Sequence, residues 1–189
     1  MGLVLASGSP RRKTLLQLIT QDFEVCPALS DENPPSTLPA QEVSLYLAKE
    51  KAREVSRRRP NDLCIGADTT VILDNQILGK PGTPQNASRM LHSLSGQTHT
   101  VVTGVGLAQS NQIRSAFSVS TQVKFYPLTD AQIDAYVQTG EPLDKAGGYG
   151  IQGYGALLVQ EIQGDYYAVV GLPVAPLARE LDALGIRFI

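Results

Sequence analysis

The pattern of apolar and polar positions at the start of the chain predicts a strand followed by a helix. Residues 3–6 are all apolar, which is typical of a short buried strand. The turn Ser7-Gly8-Ser9-Pro10 follows, with Ser9 in the N-cap position and Pro10 as the first helical residue. Apolar residues then recur at helical spacing as far as Ile19.

A long helix is predicted over residues 39–58, where apolar residues recur every four positions and Pro60 follows. Lys51 interrupts this apolar face between Leu47 and Val55. A cation on the buried face of a helix needs an anionic partner or a cleft, because burying an unpaired charge is costly. Lys51 is therefore a candidate for contact with an anion, and a solvated surface lysine is the alternative.

The middle of the chain carries the clearest strand signals. Residues 63–67 form an apolar strand that runs into Asp68, and residues 71–78 are predicted to form a hairpin that turns at Asp74-Asn75. Alternating, valine-rich segments predict two long antiparallel strands at residues 98–108 and 113–125. Shorter strands are predicted at residues 23–28, 156–162 and 166–170, and further helices at 83–94, 129–139 and 173–184.

These elements predict one α/β domain over residues 1–189, built on a long mixed, largely antiparallel sheet flanked by helices. The net charge of -2 argues against a general nucleic-acid or membrane-surface binder, which usually carries a large basic excess. No window has the length of a membrane span and no signal sequence is recognised. Cys26 and Cys64 are therefore expected to be buried thiols in the cytoplasm.

Residues 148–153 read Gly-Tyr-Gly-Ile-Gln-Gly, which matches the glycine fingerprint of dinucleotide-binding proteins. That fingerprint must end a strand and open a helix, so that a pyrophosphate meets the helix N-terminus. A loop is predicted before the glycines and a strand after them, so dinucleotide binding is rejected. The glycines are expected either to let the loop backbone approach a nucleotide closely or to serve turns alone.

Several polar residues could bind an anion or perform chemistry. Ser7, Arg11 and Arg12 surround the first strand-to-helix turn, which could hold a phosphate or could be a capped helix with a solvated basic turn. Asp68 could hold a metal or activate a water, and the alternative is a turn residue that caps local amides. Lys80 lies in a loop, where it could reach a phosphate or be solvated.

The remaining candidates carry weaker signals. Asp31 and Glu32 could supply a second carboxylate to a metal, with solvent-facing turn residues as the alternative. His92 and His99 lack metal-ligand spacing to each other or to the cysteines. A histidine metal site and Cys–His catalysis are therefore poorly supported, and no Gly-x-Ser-x-Gly nucleophile motif occurs.

Six short motifs are spread over nearly the whole chain: Ala6-Ser7-Gly8-Ser9-Pro10-Arg11-Arg12, Leu47-Ala48-Lys49-Glu50-Lys51-Ala52, Gly66-Ala67-Asp68-Thr69, Leu78-Gly79-Lys80-Pro81, Leu94-Ser95-Gly96 and Asp144-Lys145-Ala146-Gly147-Gly148-Tyr149-Gly150-Ile151-Gln152-Gly153. In order, spacing and chain length they resemble the Maf family of nucleoside triphosphate pyrophosphatases. Each motif is weak alone, but six in register make a specific signal.

The resemblance implies a cytoplasmic enzyme that depends on a divalent metal, Mg²⁺ or Mn²⁺. It implies a fold like that of inosine triphosphate pyrophosphatases, with a bent mixed sheet and a central cleft between two lobes. Family members are often dimeric, so a homodimer is one expectation, without nucleic-acid or membrane partners. The implied reaction is attack of water on a nucleoside triphosphate between the α and β phosphates, which gives the monophosphate and pyrophosphate.

The resemblance also implies roles for particular residues. Asp68 matches the family's catalytic aspartate, which accepts a proton from the attacking water and helps bind the metal, and Glu32 matches its acidic partner. The positions that contact the triphosphate correspond to Ser7, Arg12, Lys51 and Lys80. This set agrees with the need of a highly charged triphosphate for several converging donors and a divalent cation.

Within the family, the sub-group that hydrolyses dTTP and UTP is the most similar, through specificity positions that match Arg11, Thr69 and Gln152. A Gln carboxamide can donate to O4 and accept from N3–H of uracil or thymine, a pairing that cytosine reverses. Such an enzyme could keep non-canonical nucleotides out of nucleic acid and is linked to cell-division arrest. The alternatives are a pyrophosphatase for 7-methyl-GTP or other modified nucleotides, and a non-catalytic nucleotide-binding regulator of septum formation.

Overall fold

Seven strands of the computed structural model, which describes residues 2–29 and 33–187, form one sheet. Glu32, the second predicted metal ligand, lies outside the described residues, as does Asp31. The strands are β1 (Leu3–Leu5), β2 (Glu24–Val25), β3 (Leu63–Leu73), β4 (Gln76–Leu78), β5 (Thr98–Gln109), β6 (Gln112–Phe125) and β7 (Val159–Gln163).

Helices cover the sheet and connect its strands. They are α1 (Pro10–Leu16), α2 (Ala40–Arg58), α3 (Pro84–Leu94), α4 (Asp130–Gln138), α5 (Tyr166–Val170) and α6 (Val174–Ala183). Short 3₁₀ helices lie at Glu141–Asp144, Ala146–Gly148 and Tyr154–Leu158. Within residues 2–29 and 33–187, no helix is both long and apolar enough to cross a membrane.

The sheet has the order β2-β1-β3-β5-β6-β7, and β4 pairs with β3 off this path. β1 is parallel to β2 and to β3, whereas β4, β5, β6 and β7 join the sheet through antiparallel pairs. This arrangement confirms the predicted fold class, a mixed and largely antiparallel sheet flanked by helices.

Helix α2 lies unusually close to β3 and β5 because glycines replace side chains on that face. Gly66 and Gly106 are register partners, and Gly104 pairs with Asp68. A Cβ atom on Gly66 would overlap the backbone of Ala48 in α2, and one on Gly104 or Gly106 would meet the same helix. Only glycine allows two backbones to approach in this way.

The main apolar core fills the opposite face of the sheet. Side chains alternate along a strand, so Ile65, Ala67 and Val71 of β3 point away from α2. They pack with buried side chains from four helices, namely Leu15 and Leu16 of α1, Leu91 and Leu94 of α3, Ile133 and Tyr136 of α4, and Leu177 and Leu181 of α6. One face of the sheet therefore lets α2 approach closely, and the other face carries the main apolar core.

Strand β3 has a gap along one edge. On that side β1 pairs with it as far as Ile65, and β4 begins to pair at Val71. β5 runs along the other edge without interruption from Cys64 to Ile72. Within the described part of the chain, residues 66–70 therefore have a strand neighbour on one side only, and this opening leads into the candidate site.

The local signals for helix starts and for the hairpin are confirmed. Helix α1 begins at Pro10 with Ser9 in the N-cap position, although the Ser9 side chain makes no capping hydrogen bond. Thr83 caps α3, and Thr129 with Gln132 forms a capping box at the start of α4. The β3–β4 hairpin turns at Asp74 and Asn75, which have φ values of 49° and 61°. Aspartate and asparagine tolerate this left-handed conformation better than other non-glycine residues do.

The strand predicted at residues 23–28 is shorter than expected. Only the two residues of β2 are in strand conformation, and the pairing ends where Cys26 N–H donates to the Leu5 carbonyl oxygen at 3.0 Å. Pro27 follows and has no N–H with which to extend the ladder.

The strand predicted at residues 166–170 is wrong, because this segment forms α5. Asp165 caps the helix through its carboxylate, which accepts a hydrogen bond from Ala168 N–H at 3.0 Å, and Gly171 ends it at φ 131°. This cap and the burial of Ala168 override the strand propensity of the tyrosines and valines. The strand predicted at residues 156–162 also begins later, as β7.

We expect Gly104→Ala to lower the free energy of unfolding by about 2 to 3 kcal/mol, because the added methyl group overpacks the contact between β5 and α2. Urea denaturation measures the loss. Gly79→Ala is the matched control, since its Cβ would meet open space, and it should change stability by less than about 0.5 kcal/mol. Equal stability of the two variants would contradict the proposed role of the glycine face.

Candidate active site

A cleft of about 980 Å³ opens beside the gap in β3. The cleft brings together all the predicted site residues that the structure describes: Ser7, Arg11, Arg12, Lys51, Asp68, Thr69, Lys80 and Gln152. The described lining holds more cations than carboxylates, with Arg11, Arg12, Lys51, Lys80 and Lys145 against Asp68, Glu141 and Asp144. This excess suits a ligand with several negative charges.

Lys51 and Asp68 form an ion pair at the centre of the cleft. The Lys51 ammonium lies 2.7 Å from Asp68 Oδ1, and each side chain is 12% exposed. Lys51 reaches the sheet because α2 is held close to β3 by the glycine contacts. The sequence prediction that a lysine on this apolar helix face needs an anion is confirmed by this pair.

Asp68 lies within a continuous strand, whereas the sequence pattern predicts it at a strand end. β3 continues for five residues past it, to Leu73. Asp68 points toward α2 and Thr69 toward the opposite face, yet both line the cleft. The gap between β1 and β4 explains this, since it exposes both faces of β3 to the same space.

Arg12 is held by hydrogen bonds from three parts of its guanidinium. Nε donates to the Gly171 carbonyl oxygen at 2.9 Å, and Nη2 donates to the Thr69 hydroxyl at 3.1 Å. Nη1 donates to Ser7 Oγ at 3.4 Å. These bonds fix a charge that would otherwise move on a flexible side chain, so the cation is presented to the cleft in one orientation.

A buried threonine on β5 extends this network. Thr103 Oγ1 donates its proton to the Ala168 carbonyl oxygen at 2.7 Å, so in its 2.8 Å contact with Thr69 it must accept. The Thr69 hydroxyl therefore gives its proton to Thr103 and accepts from Arg12. The resemblance assigns Thr69 to specificity, and in the structure its hydroxyl belongs to the Arg12 network.

The glycine-rich loop at residues 148–153 places Gln152 in the lining of the cleft. Gly153 N–H donates to the Gly150 carbonyl oxygen at 3.2 Å, which closes a turn over residues 150–153. Ile151 is buried and Gln152 is exposed. The prediction that the glycines admit a nucleotide is not supported, because Cβ atoms on Gly150 and Gly153 would collide with neighbouring protein side chains instead.

The segment around Lys80 is joined to this loop by main-chain hydrogen bonds. Gly147 N–H donates to the Gly79 carbonyl oxygen, and Gly82 N–H donates to the Leu143 carbonyl oxygen, both at 3.1 Å. Gly147 has φ 70°, and a Cβ there would press against Val71 of β3. The Lys80 segment and the loop are thus held on the same part of the sheet.

The chemistry of the cleft suits a hard divalent cation. Asp68 offers carboxylate oxygens, and no His or Cys is among the described residues that line the cleft. Mg²⁺ typically takes one or two protein carboxylates and completes its coordination with substrate phosphates and water. In the residues that the structure describes, no group of three acidic, His or Cys side chains converges, and Glu32 lies outside them.

The sequence does not predict the buried residues that contact the side chains lining the cleft. His99 Nε2 lies 2.8 Å from the hydroxyl of Tyr149, a buried tyrosine that lines the cleft. Burial lowers the pKa of His99 to about 4, so its ring is neutral near pH 7 and acts as a structural partner. His99, like Thr103, lies in an alternating strand pattern that carries no sign of such a role.

Comparison with known proteins supports the fold and the family. The family model described as "Maf-like protein" matches residues 2–184. A dTTP/UTP pyrophosphatase of Halalkalibacterium halodurans is 50% identical over 183 residues, which cover 97% of this chain and 96% of the relative. A dTTP/UTP pyrophosphatase of Bacillus pumilus is 48% identical over 185 residues, which cover 97% of both chains.

A solved structure confirms the predicted architecture. The nucleoside-triphosphatase / dITP/XTP pyrophosphatase of Mycobacterium abscessus has 16% sequence identity and a TM-score of 0.50, over 97% of both chains. At this identity the likeness concerns the fold alone. The match along nearly the whole chain and the high identity to curated relatives go further, and the chain belongs to the Maf family.

Proposed function

We propose that this enzyme hydrolyses dTTP and UTP to the nucleoside monophosphate and pyrophosphate. The observation that carries the proposal is the convergence of Asp68 with Arg12, Lys51 and Lys80 in one cleft. A pure anion-binding site gains nothing from a carboxylate, whereas a hydrolase needs a group that accepts a proton from water. The names of relatives at 50% and 48% identity support the same substrates.

In the proposed reaction, the oxygen of a water molecule forms a bond to the α-phosphorus. The bond from that phosphorus to the α–β bridging oxygen breaks, and pyrophosphate leaves with the bridging oxygen. Asp68 accepts the proton of the attacking water. Ser7, Arg12, Lys51 and Lys80 bind the triphosphate and stabilise its charge, which is the main requirement of phosphoryl chemistry.

A divalent cation, Mg²⁺ or Mn²⁺, fits the oxygen donors of the cleft, with Asp68 and Glu32 as the proposed protein ligands. When bound, such an ion neutralises phosphate charge and polarises the reacting phosphoryl group. Lys51 already holds the Asp68 carboxylate in place at 2.7 Å, so the proposed proton acceptor is oriented by the protein itself.

Base selection is proposed to depend on Gln152, with Arg11 and Thr69 completing the specificity set. The Gln152 side chain is exposed at the cleft, and its amide can donate to O4 and accept from N3–H of uracil or thymine. Cytosine presents the reverse pattern, which leaves the amide unpaired. A site built on such hydrogen bonds discriminates strongly against the base that cannot make them.

We further propose that residues 1–189 act as one domain in the cytoplasm, as a monomer or a homodimer, without nucleic-acid or membrane partners. One sheet runs through the described chain, which supports a single domain. Both cysteines are free; Cys64 is buried as predicted, but Cys26 is only half-buried, so the prediction for Cys26 is wrong. Burial raises the pKa of the Cys64 thiol to about 11, which suits an unreactive thiol in a reducing compartment.

Purified protein should release pyrophosphate from dTTP and UTP in the presence of Mg²⁺ or Mn²⁺, and much more slowly from dCTP and 7-methyl-GTP. A coupled assay of pyrophosphate over these four substrates, with and without a chelator, tests this directly. Release from 7-methyl-GTP alone would overturn the pyrimidine assignment. Nucleotide binding without any release would favour a regulator.

Asp68→Asn should lower kcat for dTTP by at least about 100-fold, because the amide cannot accept the proton of the attacking water. Equilibrium binding of dTTP should persist. Asp74→Asn is the matched control, since Asp74 lies in the exposed β3–β4 turn, and its activity should equal that of the wild type. Full activity of Asp68→Asn would refute the proposed mechanism.

Thr103→Val should raise KM for dTTP by about 5- to 10-fold with little change in kcat, because valine can neither accept the hydrogen bond from Thr69 nor donate to the Ala168 carbonyl oxygen. Thr69 and Arg12 are then held less firmly. Inhibition by inorganic tripolyphosphate, which has no base, should weaken in parallel. Thr100→Val on the same strand is the control, since Thr100 takes no part in this network. If Thr103→Val leaves KM for dTTP and inhibition by tripolyphosphate unchanged, Thr103 does not position Arg12.

A further inference from the structure

The loop that carries Gln152 is built around a carboxylate of the protein itself. Glu141 Oε1 accepts hydrogen bonds from the Tyr136 hydroxyl at 2.9 Å and from Gly155 N–H at 3.1 Å. Glu141 Oε2 accepts from Tyr154 N–H at 2.9 Å. Both carboxylate oxygens are therefore bound within the loop and its neighbouring helix α4.

Tyr136 connects the other end of the same turn. Its hydroxyl donates to Glu141 and accepts from Gly150 N–H at 3.0 Å, and the side chain is only 5% exposed. The turn over residues 150–153 is thus attached to Tyr136 at its first residue. Just past its last residue, Tyr154 and Gly155 attach it to Glu141.

The glycines of the loop are explained by this arrangement. A Cβ on Gly153 would overlap the Glu141 carboxylate, and one on Gly155 would lie 2.8 Å from the Tyr136 hydroxyl oxygen and 2.6 Å from the Gly150 carbonyl oxygen. The backbone therefore wraps the carboxylate too closely for any side chain. Of the three fingerprint glycines, Gly150 and Gly153 lie against the side chains of Lys145 and Glu141, whereas Gly148 has a left-handed conformation at φ 71°.

The carboxylate stays charged at neutral pH. Burial alone would raise the pKa of Glu141, but hydrogen bonds from Gly155, Tyr154 and Tyr136 hold it below its usual value. Lys145, whose ammonium donates to the Glu141 carbonyl oxygen at 2.8 Å, adds a nearby positive charge. A charged acceptor strengthens each of the bonds that fix the loop.

We propose that Glu141 and Tyr136 are positioning residues that hold the turn over residues 150–153, and so determine how strictly Gln152 selects uracil or thymine over cytosine. This inference rests on the proposed function, in which Gln152 contacts the base. Neither residue needs to touch the substrate, since each acts through the main chain of the loop.

Glu141→Gln tests the inference, because the new amide nitrogen cannot accept the hydrogen bonds that one carboxylate oxygen accepts now. We expect KM for dTTP to rise by about 10-fold and the preference for dTTP over dCTP to fall by about 10-fold, with kcat changed by less than about 3-fold. The preference is the ratio of the dCTP inhibition constant to KM for dTTP. Inhibition by inorganic tripolyphosphate should stay within about 2-fold of the wild type.

Tyr136→Phe removes a single oxygen and should shift the same ratio in the same direction, so it carries the test if Glu141→Gln does not fold. Glu161→Gln and Tyr126→Phe are matched controls on exposed positions outside the network, and their preference should equal the wild type's. A preference unchanged in folded Glu141→Gln or Tyr136→Phe would overturn the inference. A parallel loss of tripolyphosphate binding would also overturn it, because the defect would then not be confined to the base.

Gln152→Ala separates failure of the inference from failure of the proposed function. If the wild type hydrolyses dTTP and Gln152→Ala loses the preference while Glu141→Gln and Tyr136→Phe keep it, only the positioning role is wrong. If the wild type does not hydrolyse dTTP, or Gln152→Ala keeps the preference, the proposed function or its base assignment fails first.

Discussion

The close approach of α2 to the sheet is the constraint on which the candidate active site depends. At positions 66, 104 and 106, glycine leaves no side chain that would hold the helix away from the strands. At this separation Lys51 reaches Asp68 directly, and the ion pair replaces apolar packing on this part of the interface. The large apolar core lies on the other face, so the sheet separates the Lys51–Asp68 pair from that core.

The gap along β3 is the second constraint. Adjacent residues of a strand point to opposite faces, so Asp68 and Thr69 would normally serve separate environments. Because neither β1 nor β4 covers this stretch, a ligand at the edge can contact groups from both faces. This geometry supports the proposal that the Asp68–Lys51 pair on one side and the Thr69–Arg12 network on the other act on the same triphosphate.

The sequence predicted most of the fold because its local signals are strong and agree with the tertiary structure. The capping box at Thr129 and the valine alternation of β5 and β6 needed no long-range information. The prediction of a strand at residues 166–170 is wrong because a side-chain cap and burial outweigh the strand propensity of these residues. Thr103, Glu141 and Tyr136 gave no signal, since their roles arise only from contacts that folding creates between distant residues.

The two hydrogen-bond networks divide the site into separate parts. Thr103 and Thr69 fix Arg12 from within the sheet, whereas Glu141 and Tyr136 fix the Gln152 turn from α4 and its following loop. The Lys80 segment is bonded to that loop through Gly79 and Gly147, so the loop is held relative to β3 as well. In the proposed function, the α-phosphate of a nucleotide lies at Asp68 while its base contacts Gln152. Both contacts can form together only if the two networks hold their groups at the separation that the nucleotide's covalent geometry sets. On this proposal, base selection is a condition for productive positioning.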